Sequence, residues 1–237
     1  MAIRFLIYKI FNQGGILMKD GYQIFFDDFS ISSQQIIEFG LKEAIFIPEE
    51  SVREEWERLK TKIHSGDAMT SIRGYGSGGR STSLYLELYE SVFGHGNFKK
   101  DPTNNAEPKR IIQKLTGYRI GRDLQNYQVS HVFGRTKNPF AFSAPWNIVF
   151  LPKIVDPFTG HESKGTLTVD FQKAFQEYTY SKYVVYIEDF NRIVKELYPE
   201  IQNYLIDTEN TQFTNDVSMQ YEPIILGEQK EVSYKMD

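Results

Sequence analysis

The sequence predicts a mixed α+β fold in a single domain, and three observations predict it. Segments with helical spacing of apolar residues alternate with short runs rich in aromatic and β-branched residues. The 237 residues are 41% hydrophobic and 15% aromatic, enough to bury one sizeable core. No internal repeat and no interdomain linker breaks the pattern.

In chain order, Met1 to Phe11 forms an apolar run interrupted by Lys9. No small-residue cleavage site follows, so export is a poor reading and a cytoplasmic location is expected. The stretch reads either as an edge strand over residues 2–8 or, taken as 1–17, as an N-terminal extension ahead of a start at Met18. Gly21 to Asp27 has the aromatic and β-branched content of a strand. Ser30 to Ala44 reads as a helix opened by a serine cap, and Ala44 to Ile47 as a short apolar strand. Pro48 then sits where helices begin, and residues 49–63 carry acids early and bases late, as the helix dipole favours. Four glycines within Arg73 to Arg80 mark a flexible segment. Helical patterns follow at Ser83–Phe93 and Pro108–Leu115, separated by a polar loop over Gly94–Glu107. From Gln125 the chain is strand-like and then proline-rich through Pro157. Helical periodicity returns after Gly165 and runs to Pro199. The tail offers one strand, Tyr221–Leu226, in otherwise polar surroundings.

Composition narrows the chemistry. There is no cysteine, which removes disulfides, thiolate zinc sites and a cysteine nucleophile together. A metal site would have to use His, Asn, Asp, Glu or backbone oxygen, which suits Mg, Mn or Ca, or Zn held by imidazole. Net charge is −4, so bulk positive charge does not coat nucleic acid, although a local basic cleft is compatible with that sum. No apolar run approaches the ~18 residues of a membrane span.

The informative stretch begins at Ser130-His131, where a histidine closes an alternating run. Asn147 follows 16 residues later at the head of the apolar Ile148-Val149-Phe150-Leu151, and His161 comes 14 residues after that. This pattern resembles the HNH, or ββα-metal, nuclease motif, in which a hairpin and the succeeding helix supply a His, an Asn and a further His or Asn. The resemblance spans residues 125–165. It implies a catalytic segment over 125–180, with 18–124 and 181–237 as scaffold and DNA recognition. His131 is then expected as the general base that takes a proton from water. Asn147 is expected as a structural or metal-ligating amide, and His161 as a helix-borne ligand or phosphate contact. A divalent ion, Mg or Mn, is expected as cofactor. Ser130 stands where many members place a better ligand, so the resemblance implies either an ion held by fewer protein groups and more water or a contribution from Asp156 or Glu162. With no cysteine pairs to bind a bracing zinc, apolar packing must hold the motif.

Arg119, Arg122, Arg135 and Lys137 bracket His131, and Lys153 and Lys164 flank its partners. Together with Arg73 and Arg80 beside the glycine-rich segment, they are expected to attract phosphate. The glycine-rich segment lacks the Gly-Lys-Ser/Thr ending of a P-loop. The resemblance implies a sequence-specific, restriction-type endonuclease acting on double-stranded DNA, for which a homodimer would match a symmetric target. A non-specific toxin-type nuclease and a non-catalytic nucleic-acid-binding protein are the alternatives. In the last, His131 and Asn147 only support structure.

Overall fold

The computed structural model describes residues 19–74, 80–160 and 162–226, with Arg80 and Ser81 described by backbone only. The expected edge strand at 2–8, the extension ahead of Met18 and the glycines between Tyr75 and Gly79 lie outside the described residues. The chain divides into two compact units, Met1–Ile36 and Ile37–Asp237.

The small unit is helical where a strand was expected. Helix α1 (Gly21–Asp28) is capped by Asp20, whose carboxylate accepts from the Tyr22 and Gln23 amides. The aromatic residues Tyr22, Phe25, Phe26 and Phe29 recur at helical spacing, and that period outweighs their β propensity. Helix α2 (Ser33–Glu43) begins with a reciprocal cap. The Gln35 amide donates to Ser32 Oγ at 3.2 Å, and the Ser32 amide to Gln35 Oε1 at 2.8 Å. The cap is therefore Ser32, two residues beyond the expected Ser30.

The large unit holds the hydrophobic core. Strand β1 (Ile45–Phe46) leads through Pro48 into α3 (Glu49–Ser65), which Gly66 closes in a left-handed cap. Strand β2 (Thr70–Ile72), α4 (Arg80–Phe93), β3 (Phe98–Lys100) and α5 (Ala106–Thr116) follow. β2 and β3 pair in parallel, so the loop expected over 94–107 contains a strand. Strand β4 (Tyr127–His131), the short helix α6 (Pro139–Phe142) and β5 (Ile148–Pro152) come next. β5 is the middle of a three-stranded antiparallel sheet ordered β1-β5-β4.

A single 3-10 turn, Asp156–Thr159, leads to α7 (Thr166–Ile206). This helix breaks its geometry at Tyr183, whose hydroxyl donates to the Ile47 carbonyl at 2.5 Å. It also continues past Pro199, where the sequence placed its end, because Ile201 and Leu205 still pack inward. The tail forms α8 (Thr211–Gln220), capped by Asn210, and the expected strand over Tyr221–Leu226 is absent. Phe213, Val217 and Tyr221 sit one helical turn apart and are all buried. Ile224 instead pairs with a side chain, Asn191 of α7: its amide donates to Oδ1 at 2.7 Å and its carbonyl accepts from Nδ2 at 3.0 Å. The class is thus mixed α+β as expected, mostly helical with two small sheets among the described residues.

Candidate functional site

β4 and β5 form an antiparallel pair that aligns His131 with Ile148, which brings His131 and Asn147 to the same end of the hairpin. Between them the chain runs through a loop packed as core. Every residue from Asn138 to Pro152 is buried. Trp146 anchors the loop, edge-on to Trp56 of α3 at 5.7 Å and tilted against Phe190 of α7 at 5.3 Å. Asn138 caps α6, and Pro139 at the first helical position fits its fixed backbone angle. The expectation that apolar packing holds this segment agrees with that burial.

Asn147 is fully buried and its carboxamide is used up within the loop. Oδ1 accepts from the Phe133 amide at 2.9 Å, and Nδ2 donates to the Gly134 and Ala141 carbonyls, both at 3.0 Å. Both strand ends and the α6 turn are thus tied to one side chain. The metal-ligating role expected as one possibility gives way to the structural one, because the amide has no solvent face from which to meet an ion.

His131 is buried, 7% exposed, and its ring lies nearly parallel to Phe142 at 5.7 Å. Nε2 is 2.9 Å from the Phe142 carbonyl. A carbonyl only accepts, so Nε2 carries the hydrogen and Nδ1 is the basic nitrogen of the neutral ring. Strand alternation turns Ser130 to the opposite face from His131, and it is buried as well. Asp156 is buried at the start of the 3-10 turn. That turn closes on Gly160 at φ +94°, a backbone conformation that favours glycine, and an added Cβ would also displace the Gln172 amide. Gln172 of α7 donates to the Thr159 carbonyl at 2.7 Å and fixes the turn. His161, the third expected site residue, lies outside the described residues. Among the described residues, no three His, Asp or Glu side chains gather where they could hold a metal ion. Ser130, Asn147 and Asp156 are all buried, and the fourth expected ligand, His161, lies outside the described residues.

The expected phosphate-binding cations divide. Arg135, with a left-handed backbone at φ +53°, donates to the Met219 carbonyl and faces Glu222 at 3.6 Å. Lys137 bonds Asp216, and its amide donates to Gln220 Oε1. Both are spent joining the loop to α8 and its exit. Arg122 is bonded to its neighbour Asp123. The Arg135 and Lys137 side chains, 18% and 24% exposed, are engaged within the protein, whereas Arg122, 61% exposed, keeps its pair with Asp123 on the surface. Arg119, Lys153 and Lys164 are exposed and have no ion pair among the described residues. Arg73 is half-buried, and the Arg80 side chain lies outside the described residues.

Sequence reading missed two groups that orient the hairpin. The Phe142 carbonyl leaves no trace in a side-chain pattern. Gln176 of α7 donates to the Val132 carbonyl at 3.3 Å, and nothing in its helical context marks it out. The Asn138-Pro139 pair was a readable turn signal.

These features define an α+β protein with a buried histidine and asparagine at one end of a β-hairpin, followed by a long helix. A family model described as uncharacterised protein PM1201 matches residues 47–233, and the chain belongs to that family. The uncharacterized protein PM1201 of Pasteurella multocida (strain Pm70) is 45% identical over 183 residues, which is 77% of this chain and 82% of that protein. No solved structure matches. No helix among the described residues is long and apolar enough to cross a membrane.

Proposed function

We propose that the protein is an HNH-type endonuclease hydrolysing phosphodiester bonds in double-stranded DNA, of the sequence-specific restriction type, acting in the cytoplasm and as a homodimer on symmetric targets. The single observation supporting this reading is the juxtaposition of His131 and Asn147. The carboxamide ties the ends of the hairpin together, and the Phe142 carbonyl orients the imidazole with Nδ1 as its basic nitrogen. A neutral imidazole is a type of side chain that serves as a general base toward water. A divalent ion, Mg or Mn, belongs to the proposal through the resemblance, and the described residues do not supply a cluster to bind it.

A second reading is favoured by the burial of both residues, 7% for His131 and 0% for Asn147. In it the pair is a polar brace and the protein binds nucleic acid without cutting.

Purified protein with mixed-sequence supercoiled plasmid and Mg²⁺ or Mn²⁺, and in parallel with chelator, decides between them. Discrete fragments are expected, and chelator is expected to stop their formation. A smear points to a non-specific nuclease, while intact plasmid under every condition sinks the catalytic reading. His131→Ala is expected to lower cleavage by about 10²–10⁴-fold, the usual contribution of a general base. His131→Gln keeps an amide donor for the Phe142 carbonyl and controls for folding. Full cleavage by both variants removes His131 from the mechanism.

A further inference from the structure

α3 and α5 bear the same three-residue pattern: Glu55, Arg58 and Lys62 on one, Glu107, Arg110 and Lys114 on the other. The spacing of three and then four residues places each trio along one helical face. Glu107 accepts from Arg110 Nε at 2.8 Å and Nη2 at 2.7 Å. Glu55 accepts from Arg58 Nε at 3.1 Å and also from its Nη2. Glu55 lies 3.7 Å from Lys114 across the helices, whereas Lys62 is in the field of Glu107, Arg58 and Arg110. The trios therefore lie side by side in opposite directions, with the arginines between the lysines.

Depth separates the charges. The Glu55 and Glu107 side chains are 4% and 17% exposed, while those of Arg58, Arg110 and Lys114 are 46%, 52% and 58% exposed. Carboxylates lie beneath and cations above. Lys99 of β3 adds a further exposed charge near Lys62. Burial lowers the pKa of the Lys62 ammonium. Glu107 opposes that effect, and Arg58, Arg110 and Lys99 reinforce it. The Nη1 group of neither arginine has a protein partner among the described residues. Five cations over two carboxylates make a positive plate on a chain whose net charge is −4.

We propose that this plate on α3 and α5 is a docking surface for the phosphate backbone of duplex DNA. Each buried carboxylate holds a guanidinium in place, so less side-chain freedom is lost when the outer N–H groups meet an acceptor. Each trio extends about 10 Å along its helix. A partner with closely spaced acceptor charge matches that line, and duplex DNA presents a charge every ~1.7 Å of axis. None of these residues belongs to the cation set expected from the sequence. The choice of DNA rests on the nuclease reading, while the binding itself does not require His131.

The test is fluorescence anisotropy of a labelled 30-base-pair duplex with the full chain, in chelator, across a NaCl series. Lys62→Gln with Lys99→Gln removes two charges that have no carboxylate bonded to them, so the internal pairs survive. The double variant is expected to bind at least about tenfold more weakly near 0.1 M salt. Its log–log salt slope should be shallower by about 1.8, at about 0.9 per phosphate contact. Arg58→Lys, which keeps the charge and loses the two-pronged geometry, is expected to weaken binding by a smaller factor with an unchanged slope. Affinity and slope equal to wild type in the double variant overturn the proposal, as does binding of poly-glutamate in place of duplex. Loss of cleavage in His131→Ala with full duplex binding leaves the plate standing. Binding lost in the double variant with no cleavage by wild type supports the plate and sinks the nuclease.

Discussion

Asn147 and Asn191, two of the buried carboxamides among the described residues, fasten the chain in different surroundings. Asn147, fully buried, ties the Phe133 amide and the Gly134 and Ala141 carbonyls into one loop. Asn191 on α7, 5% exposed, pairs with both backbone groups of Ile224, as a neighbouring strand would. The chemistry is the same: an amide side chain supplies what a backbone segment lacks when no strand or helix is at hand. The surroundings differ. Beside Asn147 stand a titratable imidazole and the unpartnered buried atoms Ser143 Oγ and Trp146 Nε1. Beside Asn191 the unpartnered buried atom is the Tyr221 hydroxyl, whose pKa is pushed up by burial alone. The same fastening holds a buried imidazole beside it in one region and closes the fold in the other.

The largest expected effect breaks the hairpin member of the pair. Asn147→Ala leaves one buried and two half-buried backbone groups without their partner, so a loss of about 2–5 kcal/mol is expected in urea unfolding, together with any cleavage. Asn191→Ala leaves two such groups, for about 2–4 kcal/mol, yet cleavage per folded molecule should stay at the wild-type level. If Asn191→Ala removes cleavage while folded, or Asn147→Ala unfolds no more easily than wild type, the division between the two regions fails.

Both regions were partly legible in the sequence, to different depths. The hairpin was readable because its strands are alternating or apolar runs and because His131 and Asn147 are chemically conspicuous types. What the sequence concealed was use. Nothing local reveals that the Asn147 amide is exhausted by backbone groups, or that Arg135 and Lys137 turn toward α8. The C-terminal region misled more. Tyr221 to Leu226 has strand composition, but among the described residues it joins no sheet, and a side chain of α7 serves as its partner. α1 misled by a competing period: its aromatics look β-like one by one, while their spacing and the Asp20 cap are helical. Helix α8 was hidden by its polar composition, although Asn210 and the spacing of Phe213, Val217 and Tyr221 were there to be read.

A smaller effect sharpens the comparison by pH. Asp189, two residues from Asn191, accepts from Trp56 Nε1 at 2.8 Å and Lys60 Nζ at 2.6 Å, and also bonds Arg192. Burial pushes its carboxyl up, but the Lys60, Trp56 and Arg192 donors overcome that and hold it below the ordinary carboxylate range. A carboxyl depressed in the folded state contributes stability above its unfolded pKa, near 4, and loses it as pH falls through the lower folded value. Asp189→Asn is therefore expected to flatten the acid limb of the stability profile below about pH 5 while lowering stability at neutral pH. An acid limb as steep as that of wild type would show that the docking of α7 on α3 does not depend on this charge.

The smallest expected effect returns to the hairpin. Gln176 Nε2 donates to the Val132 carbonyl at 3.3 Å, a long bond from a half-buried side chain. It links α7 to the residue that follows His131. Gln176→Ala should cost about 0.5–1 kcal/mol in urea unfolding, the net worth of an ordinary hydrogen bond. If the hairpin end is a reactive corner, cleavage by that variant should fall by a larger factor than its stability implies, because a small misplacement of a catalytic group is costly. If it is only a brace, duplex binding and stability should change together and slightly. The ratio of those two losses in one variant therefore tests whether the imidazole at the strand end is held for chemistry or for shape.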